Sequence, residues 1–353
     1  MDLNGKRVLV VGSGKSGVAA AELLVKKGIE FVLFDGNKDL DTAALTEKNP
    51  VFAGAKILLG ELKEEDLAEI DLAVLSPGVP TDLPMVDMMR EKGIPVWGEI
   101  ELAYHFAKGR IIAITGTNGK TTTTSLVGQI MANYYDDVKV VGNIGIPYTS
   151  VAADTTDETV TVAEISSFQL ETTHDFAPEV TAILNITPDH LNRHHTMECY
   201  IETKESITKN QTAQDTCVLN YEDDVLRAFG EALKTKVVYF SSKRKLDRGL
   251  YLDGEDIFYA DGQTDVKVIN VNELNILGKH NYENVMAAVG MSLSFGVPME
   301  KIVEVLKKFV AVEHRIEYVT EKRGVKFYND SKGTNPDAAI QGIRAMNRPT
   351  LLI

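Results

Sequence analysis

The sequence predicts an α/β protein of two or three domains, and three observations support this prediction. Short apolar runs typical of buried strands alternate with helical patterns, as in a parallel sheet whose strands are connected by helices. Two glycine-containing loops, at 12–17 and 116–122, each follow such a strand and open a helix. The chain has 353 residues, of which 44% are hydrophobic and 25% charged, the balance of a protein with a sizeable core and a hydrated surface.

The first predicted domain spans residues 1–99. Gly28 is well placed to end its first helix, because glycine readily adopts the left-handed conformation that follows a helix. The Pro-Gly pair at 77–78 marks the end of a later strand. The predicted elements are a strand at 6–12, a helix at 16–28, and strands at 29–35, 71–79 and 94–99.

A second domain is predicted at 100–310, and residues 311–353 are expected to be the start of an incomplete third domain, Rossmann-like and built around a parallel sheet. That third part opens with a hairpin at 314–330 that turns at Arg323-Gly324, and it closes with an apparent strand at 348–353 that lacks a following helix. The predicted elements of the second domain are strands at 110–115, 160–166 and 180–186, a helix from the second loop to about Asn133, and helices at 280–296 and 299–309.

Composition excludes several classes of function. The net charge of −14 argues against a nucleic-acid partner, since binding the phosphate backbone needs a basic face. Cys199 and Cys217 are too few for a disulfide framework and lie in no metal-ligand spacing, so free thiols in a reducing compartment are expected. No signal-peptide pattern and no apolar run of roughly 18–20 residues is present, which predicts a cytoplasmic protein without a membrane partner.

The first glycine loop (residues 12–17, GSGKSG) matches the fingerprint of dinucleotide-binding loops and predicts a Rossmann-like N-terminal domain. Asp35 ends the next strand, near the position of the acid that binds a ribose in such domains. The same residues would also serve as a tight turn with close helix packing. Alone, the loop indicates a nicotinamide-dependent dehydrogenase as readily as a protein that binds another nucleotide diphosphate.

The second glycine loop (residues 116–122, GTNGKTT) predicts a phosphate site and a central domain of the P-loop ATPase type. Glycines let backbone N–H groups turn toward phosphates, and the start of the following helix adds a positive dipole end. Lys120 would reach the outer phosphates, and the Thr121 hydroxyl could hold Mg²⁺. The residues predicted to bind nucleotide here are Gly116, Thr117, Asn118, Gly119, Lys120, Thr121 and Thr122.

Two further polar positions follow buried strands. Glu164 ends an apolar run, and a carboxylate at the carboxyl end of a parallel strand beside a phosphate loop is well placed to bind Mg²⁺. Asp189-His190 follows the strand at 180–186, where His190 is a candidate metal ligand or phosphate contact.

These motifs together resemble the Mur ligases, and the resemblance extends from 116 to 336 with support from the N-terminal domain. It resembles most the branch that adds D-glutamate to UDP-N-acetylmuramoyl-L-alanine, with the L-alanine-adding branch as the alternative within the family. The segments that carry the resemblance are GTNGKTT, GNIG at 142–145, EISSFQL at 164–170, NITPDHLNRH at 185–194, GKHNYEN at 278–284, HR at 314–315 and NDSKGTNP at 329–336.

The resemblance implies an ATP-dependent amide ligase with two Mg²⁺ ions, acting as a monomer through an acyl phosphate. Among metal-binding positions it implies Thr121, Glu164, His190 and Lys204, the last as a lysine that can be carbamylated. Further nucleotide contacts are implied at Asn284, Arg315 and Asp330, and catalytic positions at Lys120, His190, Lys204 and Lys332. Contacts to the UDP-sugar substrate are implied at Ser16, Asp35, Asn37, Ser76, Asn143 and Ser166.

Functions from other classes leave part of the sequence unexplained. A dehydrogenase would account for the first glycine loop and Asp35 but not for the second loop, Glu164 or the NDSK segment. A P-loop switch or binding module would account for the second loop, but the sequence has no guanine-specific NKxD motif. The resemblance places the D-glutamate site beyond residue 353, and a chain of these 353 residues is expected to bind the UDP-sugar without forming the amide.

Overall fold

The structure, a computed structural model, describes residues 2–310, 312–346 and 348–353. The chain divides into two compact units. Unit 1 comprises Met1–Gly109, Val141–Thr159 and Ile165–Phe176; unit 2 comprises Arg110–Val140, Val160–Glu164 and Ala177–Ile353. The three-domain division at 1–99, 100–310 and 311–353 stays a prediction.

The secondary structure alternates strands and helices through most of the chain. The strands are β1 (Arg7–Val11), β2 (Glu30–Asp35), β3 (Lys56–Leu59), β4 (Leu72–Leu75), β5 (Val96–Gly98), β6 (Arg110–Thr115), β7 (Val138–Gly142), β8 (Val160–Glu164), β9 (Val180–Ile183), β10 (Thr216–Asn220), β11 (Lys236–Ser241), β12 (Arg248–Asp253), β13 (Asp256–Asp261), β14 (Asp265–Asn270), β15 (Glu317–Lys322) and β16 (Val325–Asn329). The helices are α1 (Lys15–Lys26), α2 (Thr42–Lys48), α3 (Pro84–Glu91), α4 (Glu99–Phe106), α5 (Lys120–Ala132), α6 (Thr149–Ala152), α7 (Ser167–Leu170), α8 (Leu191–His194), α9 (Met197–Glu205), α10 (Asp224–Ala232), α11 (Lys279–Ser294), α12 (Met299–Leu306) and α13 (Pro336–Arg344).

Unit 1 is built on a five-stranded sheet of order β3-β2-β1-β4-β5, in which every pairing is parallel. Strands β1 and β4 are apolar and almost wholly buried, as expected of strands covered on both faces. The strand order reverses between β1 and β4. In open parallel sheets the crevice outside such a reversal, at the carboxyl ends of the strands, is where ligands bind.

Unit 2 is built on a nine-stranded sheet of order β14-β13-β12-β11-β10-β9-β6-β8-β7. Strands β8, β6, β9, β10, β11 and β12 pair in parallel, and β12, β13 and β14 form an antiparallel edge. Helices α5 and α11 supply much of the core that covers this sheet. Because β6 lies between β8 and β9, the loops after these three strands emerge at one edge.

The predicted α/β class with its parallel sheets is confirmed, and the predicted strands differ mainly at their carboxyl ends. The strands expected at 71–79, 160–166 and 180–186 end at Leu75, Glu164 and Ile183. Beyond those points the chain leaves the sheet, so the following polar residues line loops instead of extending strands.

In the C-terminal segment the hairpin is confirmed and the last strand is not. Arg323 and Gly324 join β15 to β16 with φ of 53° and 77°, the left-handed pair that suits a tight hairpin turn. The strand expected at 348–353 was wrong: these residues form no strand and Leu351, Leu352 and Ile353 are exposed. A strand needs a hydrogen-bonding neighbour, and none of the strands in the described ranges pairs with this segment.

Within those same ranges no helix is both long enough and apolar enough to cross a bilayer.

Candidate functional site

The second glycine loop leaves β6 and enters α5 through a backbone that only glycine adopts easily. Gly116 has φ of 147° and Gly119 has φ of 86°, so a side chain at either position would be strained. A Cβ on Gly119 would also lie 2.3 Å from Oδ1 of Asn284, a buried side chain of α11. The loop therefore packs closely against α11 while its backbone turns toward the edge of the sheet.

Asn185, which follows β9, holds this loop through hydrogen bonds. The Thr117 backbone amide donates to the Asn185 carbonyl at 2.9 Å, and the Asn118 amide donates to Asn185 Oδ1 at 2.8 Å. Asn185 Nδ2 returns a bond to the Asn118 carbonyl at 3.1 Å. The side chain of Asn185 thus bonds both the backbone amide and the backbone carbonyl of Asn118, which holds the loop in one conformation.

Two lysine side chains converge on a single carbonyl oxygen of the loop. Lys120 Nζ donates to the carbonyls of Gly116 and Thr117, each at 2.8 Å, and Lys204 Nζ donates to the Gly116 carbonyl at 2.9 Å. Lys204 lies on α9 and is only 1% exposed. Two amino groups that share one oxygen are close neighbours, and in a buried setting their positive charges disfavour each other.

Burial and mutual repulsion set the charge of these lysines. Burial lowers the pKa of Lys120; the Glu164 and Asp189 carboxylates oppose this shift, and the Arg315 charge adds to it. Burial, and then the Lys120 charge, hold the pKa of Lys204 well below its ordinary value, with Asp189 opposing. Lys204 is therefore the lysine that more readily presents a neutral, nucleophilic amine.

Further candidate metal ligands lie at the end of β8, at the start of α5 and after β9. Glu164 is buried at the end of β8, and the Thr121 hydroxyl lies in the first turn of α5 with 8% exposure for the residue. Asp189 and His190 follow β9; the His190 amide donates to Asp189 Oδ1 at 2.9 Å, and the His190 side chain is half exposed. Carboxylate and hydroxyl oxygens with one imidazole are a donor set that fits Mg²⁺.

Arg315 approaches the same loop from the C-terminal segment. One of its terminal nitrogens donates to the Thr121 hydroxyl at 3.4 Å and the other to the Lys332 carbonyl at 3.5 Å. Its Nε is buried and has no hydrogen-bond partner among the residues that the structure describes. A guanidinium with unused donors beside a phosphate-type loop fits an anionic ligand.

The start of helix α13 also contacts the loop. Asn118 Nδ2 donates to Asp337 Oδ2 at 3.0 Å, and Asn335 Nδ2 donates to Asn118 Oδ1 at 3.1 Å. Asn335 Nδ2 also reaches Asp189 Oδ2 at 3.4 Å. The Asn118 side chain is therefore fully engaged by two residues more than two hundred positions away in the chain.

A cavity of about 80 Å³ lies beside these contacts. This is smaller than the ~300 Å³ at the low end of typical ligand sites, so a nucleotide would have to displace some of the surrounding side chains. Asp330 lines the cavity and accepts from the Ile316 amide at 3.1 Å. The remaining lining residues include Asn118, Gly119, Thr122, Asn185, Phe240, His280, Asn281, Glu283, Asn284 and Arg315.

The predicted positions of the nucleotide site thus lie in one unit and mostly in one cluster, with Lys332 as the partial exception. Lys332 is exposed and joins the cluster through its backbone, whose amide donates to the His314 carbonyl at 3.2 Å. Sequence reasoning missed Asn185, Asp189, Asn335 and Asp337 as site residues. Asn185, Asp189 and Asn335 lie in segments that carry the family resemblance, at 185–194 and 329–336, and Asp337 follows the second of these directly.

The first glycine loop, in unit 1, is held by a carboxylate and contains no buried lysine. Asp35 Oδ2 accepts from the Ser13 amide at 2.9 Å and from the Ser13 hydroxyl at 2.5 Å, and Asp35 Oδ1 accepts from the Asn37 amide at 2.9 Å. Burial tends to raise the pKa of Asp35, but these hydrogen bonds outweigh it and leave the pKa below its ordinary value. The carboxylate is thereby kept charged at the end of β2.

Ser76 lies at the point where the strand order of unit 1 reverses. Its hydroxyl is buried and has no partner among the described residues, and it would meet a Cβ on Gly12 at 2.8 Å. A Cβ on Gly17 would lie 1.8 Å from the Gly12 carbonyl oxygen, so α1 packs directly on the loop. An unsatisfied hydroxyl at a crevice with closely packed glycines fits a ligand that approaches the backbone.

The other positions predicted to contact the UDP-sugar are also in unit 1, but they do not all meet at this crevice. Ser16 is half-buried in the first turn of α1, and Asn37 is exposed after β2. Asn143 is exposed after β7. Ser166 caps α7: its hydroxyl donates to Gln169 Oε1 at 2.9 Å and accepts from the Gln169 amide at 3.3 Å.

Comparison with known proteins adds a second line of evidence. Residues 6–98 match the family described as Mur ligase MurD-like, N-terminal domain, and residues 114–292 match the Mur ligase middle domain. Over all 353 residues the chain is 58% identical to the UDP-N-acetylmuramoylalanine–D-glutamate ligase of Lachnoclostridium phytofermentans and 59% identical to that of Lachnospira eligens. The aligned part covers 100% of this chain and 78% of each relative.

Solved structures share the fold at lower sequence identity. The UDP-N-acetylmuramate–alanine ligase of Thermotoga maritima matches with a TM-score of 0.58 and 21% identity, over 96% of this chain and 77% of that one. At this identity the likeness concerns the fold alone.

Proposed function

This chain belongs to the Mur ligase family, and from that premise we propose that it is the ATP-dependent ligase that joins D-glutamate to UDP-N-acetylmuramoyl-L-alanine in peptidoglycan precursor synthesis. The two relatives of 58% and 59% identity carry this activity in their names. The observation in the structure that carries the proposal is the second glycine loop with Lys120 and Lys204 on one carbonyl oxygen. A parallel-sheet unit with a glycine loop precedes it, as a ligase for a nucleotide-linked substrate requires.

The proposed reaction begins with activation of a carboxylate, which is a poor electrophile. The carboxylate attacks the γ-phosphorus of ATP and releases ADP, and the product is an acyl phosphate with a good leaving group. Such a transfer depends on positioning and on neutralising the charge of the phosphates. Lys120, Arg315 and the backbone N–H groups at the start of α5 are the groups of this chain proposed to do both.

Amide formation follows when the amine of D-glutamate attacks the acyl carbon and phosphate leaves. The amine must first lose a proton, because an ammonium has no lone pair to form the bond. His190 is half exposed beside Asp189 and is the candidate acceptor of that proton. Lys332, exposed in the C-terminal segment, is the candidate for a further contact to the transferred phosphate.

Two Mg²⁺ ions are proposed to be held by Thr121, Glu164, His190 and a carbamylated Lys204; when bound, they would neutralise the charge that develops on the phosphates. The buried Lys204 amine is suited to carbamylation because burial lowers its pKa, which makes the neutral amine easier to form. The amine adds to the carbon of CO₂ and releases a proton, so a cation is replaced by a carboxylate-like anion. This change would supply a metal ligand where the chain otherwise has a lysine.

Unit 1 is proposed to bind the UDP part of the substrate at the crevice beside Gly12 and Ser76. The buried Ser76 hydroxyl has no hydrogen-bond partner among the described residues, and a phosphate or sugar oxygen of the ligand could supply one. Asp35 anchors the loop through Ser13, and Ser16 lies in the first turn of α1, where anions are favoured. Asn37, Asn143 and Ser166 are proposed as further contacts. The enzyme is proposed to act as a cytoplasmic monomer.

Ligand binding to this chain tests the proposal. Thermal unfolding is followed with ATP and Mg²⁺, NADH, UDP-N-acetylmuramoyl-L-alanine, or UDP-N-acetylmuramic acid added separately. We expect stabilisation by ATP with Mg²⁺ and a stronger effect of the alanyl substrate than of its precursor, since a ligand that binds only the folded state raises its stability. Stabilisation by NADH alone would support the dehydrogenase instead, and preference for UDP-N-acetylmuramic acid would support the L-alanine-adding activity.

A further inference from the structure

Tyr200 connects the lysine-bearing helix to the second glycine loop, and nothing in the proposed reaction yet uses it. The residue lies on α9, one turn before Lys204, and is 1% exposed. Its hydroxyl lies 3.1 Å from Thr117 Oγ1, and its ring centroid lies 4.6 Å from Lys204 Nζ. One side chain therefore contacts both the loop and the buried amine.

The Tyr200–Thr117 hydrogen bond belongs to a small network around the Thr117 hydroxyl, and either hydroxyl oxygen can be its donor. The Thr117 hydroxyl also lies within donating distance of the Thr187 carbonyl, at 3.1 Å, and it accepts from the Thr187 amide at 3.0 Å. When Thr117 donates to that carbonyl, one lone pair remains on Thr117 Oγ1 for the proton of Tyr200.

The Thr117 hydroxyl thus has three bonds, and the one with Tyr200 involves a different element than the other two. Thr187 ties Thr117 to the segment after β9, while Tyr200 ties it to α9. The Tyr200 ring also lies against the Lys204 amine, which donates to the Gly116 carbonyl. A shift of α9 would therefore move Lys204 and the loop together.

We propose that Tyr200 is a positioning residue for the nucleotide site: its hydroxyl fixes Thr117 and its ring fixes the head of Lys204, so that loop and lysine keep one mutual arrangement. The inference rests on the proposed function of the loop as an ATP site. It differs from a role in core packing alone, because it assigns separate consequences to the hydroxyl and the ring.

Removing the hydroxyl should weaken ATP binding without loosening the fold. In Tyr200→Phe the ring stays and one buried hydrogen bond is lost, so we expect about five-fold weaker ATP binding at an unfolding temperature close to that of the wild type. Affinity for the UDP-sugar should not change. In Tyr200→Leu the ring is lost as well, and we expect a further drop in ATP affinity.

The matched control is Tyr251→Phe. Tyr251 is also buried, lies on β12 of the same unit and bonds the Asp265 carboxylate, but it has no part in the loop. This variant should bind ATP as the wild type does. Thr117→Val combined with Tyr200→Phe should bind ATP no more weakly than Thr117→Val alone, because both changes remove the same bond.

Calorimetric titration with ATP and Mg²⁺, together with thermal unfolding, decides the outcome. Wild-type affinity in Tyr200→Phe would overturn the proposal, as would a parallel loss of ATP affinity, UDP-sugar affinity and thermal stability, which would indicate general loosening. Failure of the wild-type chain to bind ATP would instead contradict the proposed function, so the two failures are distinguishable.

Discussion

The two glycine loops occupy equivalent places, each after a buried parallel strand and before a helix, yet they are built for different chemistry. The first loop is held by a carboxylate, Asp35, and by direct packing of Gly17 on the Gly12 carbonyl. The second is held by amide and hydroxyl groups and has two buried lysines at its centre. The first can bind a diphosphate through backbone groups, whereas the second also carries the positive charge that phosphoryl transfer needs.

This difference shows why a glycine pattern alone does not identify a reaction. Both loops have glycines at positions where a Cβ would clash with neighbouring atoms, and both are proposed to let the backbone approach a phosphate. What separates them is the group that reaches each loop from another element: the Asp35 carboxylate from the next strand in one case, and the Lys204 amine from a helix 88 residues away in the other. The predictions below test that separation.

The largest effect is expected from Lys120→Ala in the second loop. The substitution removes a charge proposed to meet the ATP phosphates, and the ligation rate should fall about a thousand-fold or more. Affinity for the UDP-sugar, which is proposed to bind in unit 1, should be retained. Product formation and substrate titration are the measurements, with circular dichroism to confirm folding.

The control for that experiment is Lys308→Ala, which removes an exposed lysine of the same unit. It should leave the rate unchanged. Near-normal ligation by Lys120→Ala would remove the distinction drawn between the two loops.

The next effect concerns Lys204→Ala, expected to lower activity about a hundred-fold at limiting Mg²⁺. If Lys204 acts as an acquired carboxylate, short carboxylates such as formate or acetate should restore part of the activity by entering the vacated space. Lys120→Ala removes a positive charge that a carboxylate cannot replace, so formate or acetate should not restore its activity. Equal rescue of both variants, or normal activity of Lys204→Ala without any additive, would contradict the carbamylation proposal.

The stability of the first loop should depend more on the size of its side chains than on their charge. In Gly17→Ala the new Cβ would lie 1.8 Å from the Gly12 carbonyl oxygen, and because the obstacle is backbone, α1 must shift. We expect a loss of about 1–3 kcal/mol in the free energy of unfolding and weaker UDP-sugar binding. Gly14→Ala is the matched control: nothing lies within 4 Å of its Cβ, and its φ of −74° suits alanine. Urea unfolding of the two variants should therefore differ, and equal stability would show that the close contact is not needed.

The sequence was sufficient for the parts of each site that are local. Strand–loop–helix order, Lys120, Thr121 and Asp35 are readable because the spacing within one loop determines their placement. The partners that arrive from distant segments were not readable in the same way. Asn185 pairs with Asn118 only because β9 and β6 are neighbours in a particular register, and Asp337 reaches Asn118 across 219 positions.

The burial of Lys204 also could not be predicted from the local sequence. On pattern alone it is an ordinary helix lysine, and only the resemblance to a family singled it out. Its burial and its bond to the Gly116 carbonyl depend on how α9 packs against the loop, which no local property of the sequence determines.

The smallest expected effect is a pH dependence at the first loop. The folded-state pKa of Asp35 is lowered, so its contribution to stability is present above the ordinary pKa of an aspartate, about 3.9, and is lost as the pH falls through the lower folded value. Ser13→Ala removes one of the hydrogen bonds responsible, the hydroxyl bond at 2.5 Å, but keeps the backbone bond at 2.9 Å. The variant should be less stable than the wild type at neutral pH, and the difference should shrink as Asp35 becomes protonated.

Urea midpoints of both proteins between about pH 7 and pH 3 measure this difference in stability. The reference pair carries Asp35→Asn, which cannot titrate. The difference in stability between Asp35→Asn and the double variant Ser13→Ala/Asp35→Asn should not vary with pH. A gap between wild type and Ser13→Ala that stays constant over this range would show that the serine hydroxyl stabilises the loop without acting through the carboxylate, and the hydroxyl bond would then play no part in keeping Asp35 charged.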